Sequence, residues 1–336
     1  MITKPLRHKI TQQDVATLAG VSVTTVSLVL GGKGRISPES VSRIYQAIDT
    51  LGYQRKAGSV MLPGLVGIIL PYHCHFSSRL LPALSQALQH AGKSVTLIYS
   101  ETSDAALRDA SDRLLAQGVC GLVLCGQFSG AATLRLRTLA RHIALVGLMP
   151  HLGSGAIPAI CPDNAQAAQL AVENLLVQQH TAIAYLGGES NSLVRAERLG
   201  GLANALGKAG LAFNPALSSP CPATFSEASQ ATAQLLKQQP RPTAILCDNP
   251  TVLLAAHHVL TAGSHASKWR LFSRPSTLTG FGESDEAQKL ALPLVSIPLT
   301  SLAARATECL QYQLNGEALS CDDARLIVAG SLLPVR

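Results

Sequence analysis

The stretch "AGVSVTTVSLVLGGKGRIS", residues 19–37, sets four hydroxyls, Ser22, Thr24, Thr25 and Ser27, among the apolar side chains Val21, Val26, Val29 and Leu30. It then passes through Gly31 and Gly32 into the basic residues Lys33 and Arg35. Helical spacing buries one side of the segment from about Val23 to Leu30 and shows short hydrogen-bonding groups on the other. Outward on the amino side, Thr11 offers a capping hydroxyl to "QQDVATLAG", Asp14 suits the first turn of that helix, and Gly20 stops it. Ser22 caps the next helix, so only about three residues part the two, which is helix-turn-helix spacing with a glycine in the turn. Outward on the carboxyl side, Ser37, Pro38 and Glu39 combine a cap, a proline at the first helical position and an early acid. Val41, Ile44, Ile48 and Leu51 follow at helical spacing as far as Gly52. Three short helices with one apolar face each can share a small core.

The 336 residues are 47% hydrophobic and 14% charged, a composition that supports large cores and excludes disorder. The net charge of +7 is unevenly placed. Residues 1–60 hold Lys4, Arg7, Lys9, Lys33, Arg35, Arg43, Arg55 and Lys56 against Asp14, Glu39 and Asp49, which is +5 of the total. A basic end on a near-neutral body points to a polyanion, with nucleic acid the expected partner; a solvated basic tail is the plainer alternative. In a helix-turn-helix the second helix enters the major groove and its first residues reach base edges. Ser22, Thr25 and Ser27 then suit phosphate oxygens, Thr24 suits a base edge, and Val26 and Leu30 face the core. A three-helix adaptor for another protein is the competing reading. Lys4 to Lys9 lead into polar "TQQD" rather than an apolar run, and no apolar stretch approaches the roughly 20 residues of a membrane span. The expectation is a cytoplasmic protein without a membrane partner. Its eight cysteines form no C-x-x-C pair and read as small buried groups kept reduced.

"TQQDVATLAGVSVTTVSLVLGGKGRISPESVSRIYQAIDTLGY", residues 11–53, resembles the DNA-binding head of the lac-repressor family of bacterial regulators. The resemblance implies that Val23, Thr24 and Leu28 face the bases and that Thr11, Ser22, Thr25 and Ser27 hold phosphates. Many relatives carry arginine where this chain has Leu28, so one guanine contact is absent and an apolar contact, for example to a thymine methyl, replaces it. A different operator is expected. The family's hinge helix corresponds to residues 58–63, and Leu62 matches the leucine that wedges into the minor groove.

From Leu65 onward the pattern changes to short apolar runs rich in branched residues: "LVGIIL", "SVTLIY", "GVCGLVLCG", "HIALVGL", "TAIAYLGG", "PTAILCD", "STLTGFG" and "PLVSIP". Segments with helical spacing, such as 78–90, 104–117, 164–179 and 226–239, lie between them. Buried strands alternating with helices imply parallel sheets covered on both faces. The family's body resembles a periplasmic sugar-binding protein, with two doubly wound α/β subdomains, a ligand cleft between them and three chain crossings. Those are expected near Cys161 and Pro162, near Ala291 and Leu292, and at 321–325. The fold class is therefore α/β, a helix-turn-helix head on a periplasmic-binding-protein-like body. The head spans 1–57, the hinge 58–63, one subdomain 64–161 with 292–322, and the other 162–291 with 323–336.

Ligands of open α/β sheets sit at the carboxyl ends of strands. By resemblance, Arg198 in "VRAERLGG" matches the effector-holding arginine, whose fork suits sugar hydroxyls, carboxylates or phosphates. Asn249 matches a second polar contact. Many sugar-responsive relatives carry aspartate where "LTGFGES" has Gly282, and Glu283 stands beside it. Tyr72 and His73, just past the first strand, are further cleft-lining candidates. A helix cap or an ion pair is the alternative role for Arg198 and Asn249. "HCH" at 73–75 invites a metal, but alternating residues of an extended segment point to opposite sides, so no metal or other cofactor is expected. There is no complete P-loop, no G-x-S-x-G elbow and no G-x-G-x-x-G after the first strand, so no enzyme is expected. The reading is a homodimeric repressor of carbohydrate-metabolism genes that binds a near-palindromic duplex operator and answers to a sugar or sugar phosphate. A small-molecule-binding protein without DNA function and a repressor without effector response are its rivals.

Overall fold

The computed structural model describes residues 10–30, 36–51, 53, 64–72, 77–101, 103–126, 136, 139–140, 142–148, 157–262, 277–317, 325–328 and 331–332. Two compact units emerge, 1–161 with 299–326 and 162–298 with 327–336.

The first unit opens with three helices, α1 (Gln12–Ala19), α2 (Val23–Leu30) and α3 (Pro38–Leu51). A reciprocal capping box starts α1. The Thr11 hydroxyl accepts the Asp14 amide at 3.4 Å, and the Asp14 carboxylate accepts the Thr11 amide at 2.8 Å. Gly20 ends α1 at φ 65° and ψ 39°, the left-handed region where a side chain is strained, and its amide reaches back to the Ala16 and Thr17 carbonyls. The chain then turns by 108° into α2, inside the range of helix-turn-helix pairs. Val15, Val26, Val41, Ile44 and Ile48 are buried where the three helices meet. α3 continues the packing onto α5 (Asp104–Ala116), and the Tyr45 ring lies 5.6 Å from that of His142.

Six strands form the sheet of this unit: β1 (Leu65–Pro71), β2 (Ser94–Ser100), β3 (Gly121–Cys125), β4 (Ala144–Leu148), β5 (Ala159–Pro162) and β11 (Arg325–Val328). Their order is β11-β5-β4-β3-β1-β2, with parallel pairing such as Ile68 opposite Val123. α4 (Ser77–His90) packs against α11 (Leu299–Leu314). Gln313 of α11 clamps the Leu145 backbone, its Oε1 accepting the amide at 2.9 Å and its Nε2 donating to the carbonyl at 3.1 Å.

The second unit repeats the winding. Its strands are β6 (Ile183–Leu186), β7 (Ser218–Ser219), β8 (Ala244–Cys247), β9 (Thr277–Phe281), β10 (Leu294–Ser296) and β12 (Ser331–Leu332), in the order β12-β10-β9-β8-β6-β7. β12 runs antiparallel to β10 and departs from the all-parallel expectation; β10 with β9, β9 with β8, β8 with β6 and β6 with β7 pair in parallel. The helices are α6 (Asn164–Val177), α7 (Leu193–Lys208), α8 (Phe225–Leu235), α9 (Pro250–Ala262) and α10 (Asp285–Lys289). α6 and α7 cross closely at Gly201, where a β-carbon would stand 2.2 Å from the Ala165 carbonyl oxygen.

The chain passes between units at residues 161–162, 298–299 and 326–327. The second passage lies beyond Ala291 and Leu292 because Leu294–Ser296 is hydrogen-bonded to β9 and stays with the second sheet. The third falls inside β11. The described cysteines, Cys120, Cys125, Cys161, Cys221, Cys247 and Cys309, are all buried. Among the described residues no single helix is long and apolar enough to cross a membrane.

Candidate nucleic-acid interface and effector site

Ser22 stands immediately before α2. Its hydroxyl accepts the Thr25 amide at 3.0 Å and lies 2.8 Å from the Thr25 hydroxyl, so the two side chains close the first turn together. Ser22, Thr24 and Ser27 are exposed, Val23, Thr25 and Leu28 are half-buried, and Val26, Val29 and Leu30 are buried. One side of α2 is thus core and the other is a row of short polar groups beside a helix amino terminus, a place suited to phosphate. Thr11 is exposed but already serves as the cap of α1. Leu62, His73 and the basic loop with Lys33 and Arg35 lie outside the described residues. So does Cys74 of the "HCH" segment; among the described residues no group of three or more His, Cys, Asp or Glu side chains could hold a metal.

In the second sheet the winding reverses at β6, which has β7 on one side and β8 on the other, and the crevice at such a switch point takes ligands. Gly187 and Gly188 leave β6 at φ 105° and 69°, and a β-carbon on Gly187 would come within 2.8 Å of the Asp248 β-carbon. Ser192 caps α7 by accepting the Arg195 amide at 3.4 Å. One turn apart on α7, Arg195 and Arg198 point into the unit, 6% and 3% exposed. Arg198 Nη1 donates to the Asp248 carbonyl at 2.6 Å and to Asp248 Oδ1 at 2.9 Å, and its guanidinium carbon lies 4.0 Å from the Phe281 ring centre. The Tyr185 hydroxyl donates to the same Oδ1 at 2.5 Å. Arg195 donates to the Gly187 carbonyl and the Ser218 hydroxyl and lies 5.1 Å from the Tyr185 ring centre. Arg198 Nε has no partner among the described residues. A buried donor left so costs about 1–3 kcal/mol.

Electrostatics follow from this burial. Burial, and then the charge of Asp248, holds the Tyr185 phenol well above its ordinary value. Burial lowers the pKa of Arg195, and burial reinforced by Asp248 pushes the Cys221 thiol up to about 11. Asn249 is 3% exposed; its Oδ1 caps α9 by accepting the Val252 amide at 3.1 Å, and its Nδ2 lies 3.4 Å from Asp248 Oδ2. Glu283 Oε1 accepts the Ser296 hydroxyl at 3.0 Å. In the first unit Tyr72 is 63% exposed and stacks on Tyr99 with ring centres 6.1 Å apart. Arg198 and Asn249 therefore do stand together, but as an ion pair and a helix cap arranged around Asp248. Three residues outside the sequence reading, Asp248, Arg195 and Tyr185, complete the cluster. Only position carried a signal for them: a carboxylate directly before Asn249 at a strand end, an arginine one turn before Arg198, and a hydroxyl inside the apolar run "IAYL".

The family described as periplasmic binding proteins and sugar binding domain of the LacI family matches residues 64–300, and bacterial regulatory proteins of the lacI family match residues 11–56. The maltose regulon regulatory protein MalI of Escherichia coli K12 is 35% identical to this chain, with 96% of this chain and 98% of that protein covered. Among solved structures, the Lac repressor bound to ONPG matches with a TM-score of 0.69 at 23% identity, covering 97% of this chain and 99% of its own. The regulator CelR in complex with cellobiose matches at 0.67 and 22%, covering 97% and 98%. With a helix-turn-helix head followed by two sheets of one winding, and with relatives along nearly its whole length, this chain belongs to the lacI family of bacterial regulatory proteins.

Proposed function

We propose that the protein represses carbohydrate-metabolism genes by binding a near-palindromic operator as a homodimer, and that a sugar bound beside Arg198 changes its hold on that operator. The capped α2, with Ser22, Thr24 and Ser27 exposed opposite a buried apolar side, carries the DNA half of this reading. Relatives named for a maltose regulon and a neighbour solved with cellobiose support the sugar half. Two heads related by twofold symmetry read two half-sites, and a ligand with different affinity for two conformations shifts the population that can span them. Selection of duplexes from a random library, followed by gel shift with and without a panel of sugars, tests both halves. An enriched site released or tightened by one sugar is the expected result. Arg198, already ion-paired, and Gly282, without a carboxylate, favour a second reading in which operator binding persists and no sugar alters it.

A further inference from the structure

We propose that the helix-turn-helix head is latched to its own body, α3 lying along α5, and that operator binding has to release it, so that the contact is a built-in brake on DNA binding. The inference rests on the reading of residues 1–60 as the DNA-binding part. Head and first sheet fall in one compact unit. α5 is buried on two sides, where a helix that only covers a sheet needs one. Leu107, Ala110, Ser111 and Leu114 recur at helical spacing on the sheet side, with Leu114 set close over Gly67 of β1. Asp112 and Leu115 stand further round the helix, yet each is only 6% exposed. α3 packs against α5 and shows the same doubling. Val41, Ile44 and Ile48 serve the head's own core, while the buried Tyr45 sets its ring against that of His142, just before β4. Glu39 and Ser42, at spacings of three from Tyr45, line one cavity with Asp104, Ala105, Arg108 and Asp112 of α5.

The covalent link favours the latched state. Tyr53 stays with the head, its amide donating to the Ile48 carbonyl at 3.0 Å, and the Gly64 carbonyl accepts the Ser94 amide at 2.7 Å at the edge of the first sheet. Only residues 54–63 join the two, so the head stays at high effective concentration beside α5. Ser22, Thr24 and Ser27 remain exposed in the latched head, and the brake therefore acts by holding α2 in one place rather than by covering it. The contact fixes each head on the flank of its own body, whereas two half-sites dictate a spacing and a facing for both heads together. The released fraction alone then binds, and apparent affinity falls in proportion to it.

The test uses the full-length protein and the duplex it selects from a random library. Ser42→Cys with Arg108→Cys, bridged by a bifunctional methanethiosulfonate, ties α3 to α5, and each single variant treated alike is the control. The tied protein should lose about tenfold or more in duplex affinity, and reductant should restore it. Ala105→Glu, at an exposed position of α5, adds a carboxylate to the cavity that Glu39 lines. It should raise duplex affinity about threefold to tenfold despite the added negative charge, a gain that misfolding does not produce. In the wild type, hydrogen exchange across residues 104–116 should quicken when duplex is added and the head leaves. Bridging that leaves affinity unchanged, affinity unchanged or lowered in Ala105→Glu, or exchange in α5 indifferent to duplex overturns the brake. Failure to bridge in the absence of DNA overturns the latch itself. A wild type that selects no duplex overturns the DNA-binding reading, and this inference with it.

Discussion

Leu28 and Thr24 lie on the outward part of α2, one half-buried and the other exposed, and both belong to the proposed base-reading side. Thr24→Ala and Leu28→Arg should alter the preferred half-site by about 1–3 kcal/mol per base pair concerned, visible as a changed consensus in selection from random duplexes. Thr25→Ala should instead weaken all sequences alike, since Thr25 completes the first turn with Ser22. The place of these residues on α2 was legible because helix spacing and the resemblance agree on it. The cluster around Asp248 was not, because its partner Arg198 is fifty residues distant and neither periodicity nor a cap marks such a pair. Removing Arg198 as Arg198→Met leaves Asp248 largely buried and unpaired and should cost about 3–5 kcal/mol in urea unfolding. Tyr185 gives a pH test. Its folded pKa lies above the unfolded value of 10.0, so the native state keeps a proton that the unfolded chain sheds. That contribution is complete below the unfolded value and is lost as pH rises through the folded one. Tyr185→Phe should reduce the alkaline fall in unfolding midpoint, with the raised thiols of Cys221 and Cys247 leaving part of it in place.

Helices α1, α2 and α3 begin where capping hydroxyls and a proline put them, and α1 ends at Gly20, since those residues act on the local backbone alone. α9 was less legible: "PTVLLAAHHVLTA" is apolar nearly all round and shows no one face. β7 and β12 are two residues each, too short for a period-two pattern. The assignment of β10 depends on which sheet it pairs with, a long-range matter that the run "PLVSIP" does not express. Close helix crossings are equally silent in sequence. At Gly201 the absent β-carbon lets α7 approach the Ala165 carbonyl, and Gly201→Ala should force the helices apart at about 1–3 kcal/mol, read as a lower urea midpoint. Gly207, on the same helix with nothing near its β-carbon position, is the control and should tolerate alanine.

For the molecule as a whole, two sheets are wound alike, the proposed effector site lies at the strand ends of the second, and the charge is concentrated elsewhere: residues 1–60 hold +5 of the +7. Selection of DNA by the intact protein puts this division of labour to the test. Full-length protein is incubated with random duplexes, bound molecules are recovered through several rounds, and affinity for the recovered site is measured across a salt series. The expected result is one near-palindromic sequence of two half-sites, bound with an affinity that falls steeply and log-linearly with salt as phosphate contacts release counterions. No enrichment over the starting library, or the same enriched sequence when Thr24 and Leu28 are replaced together, would contradict it.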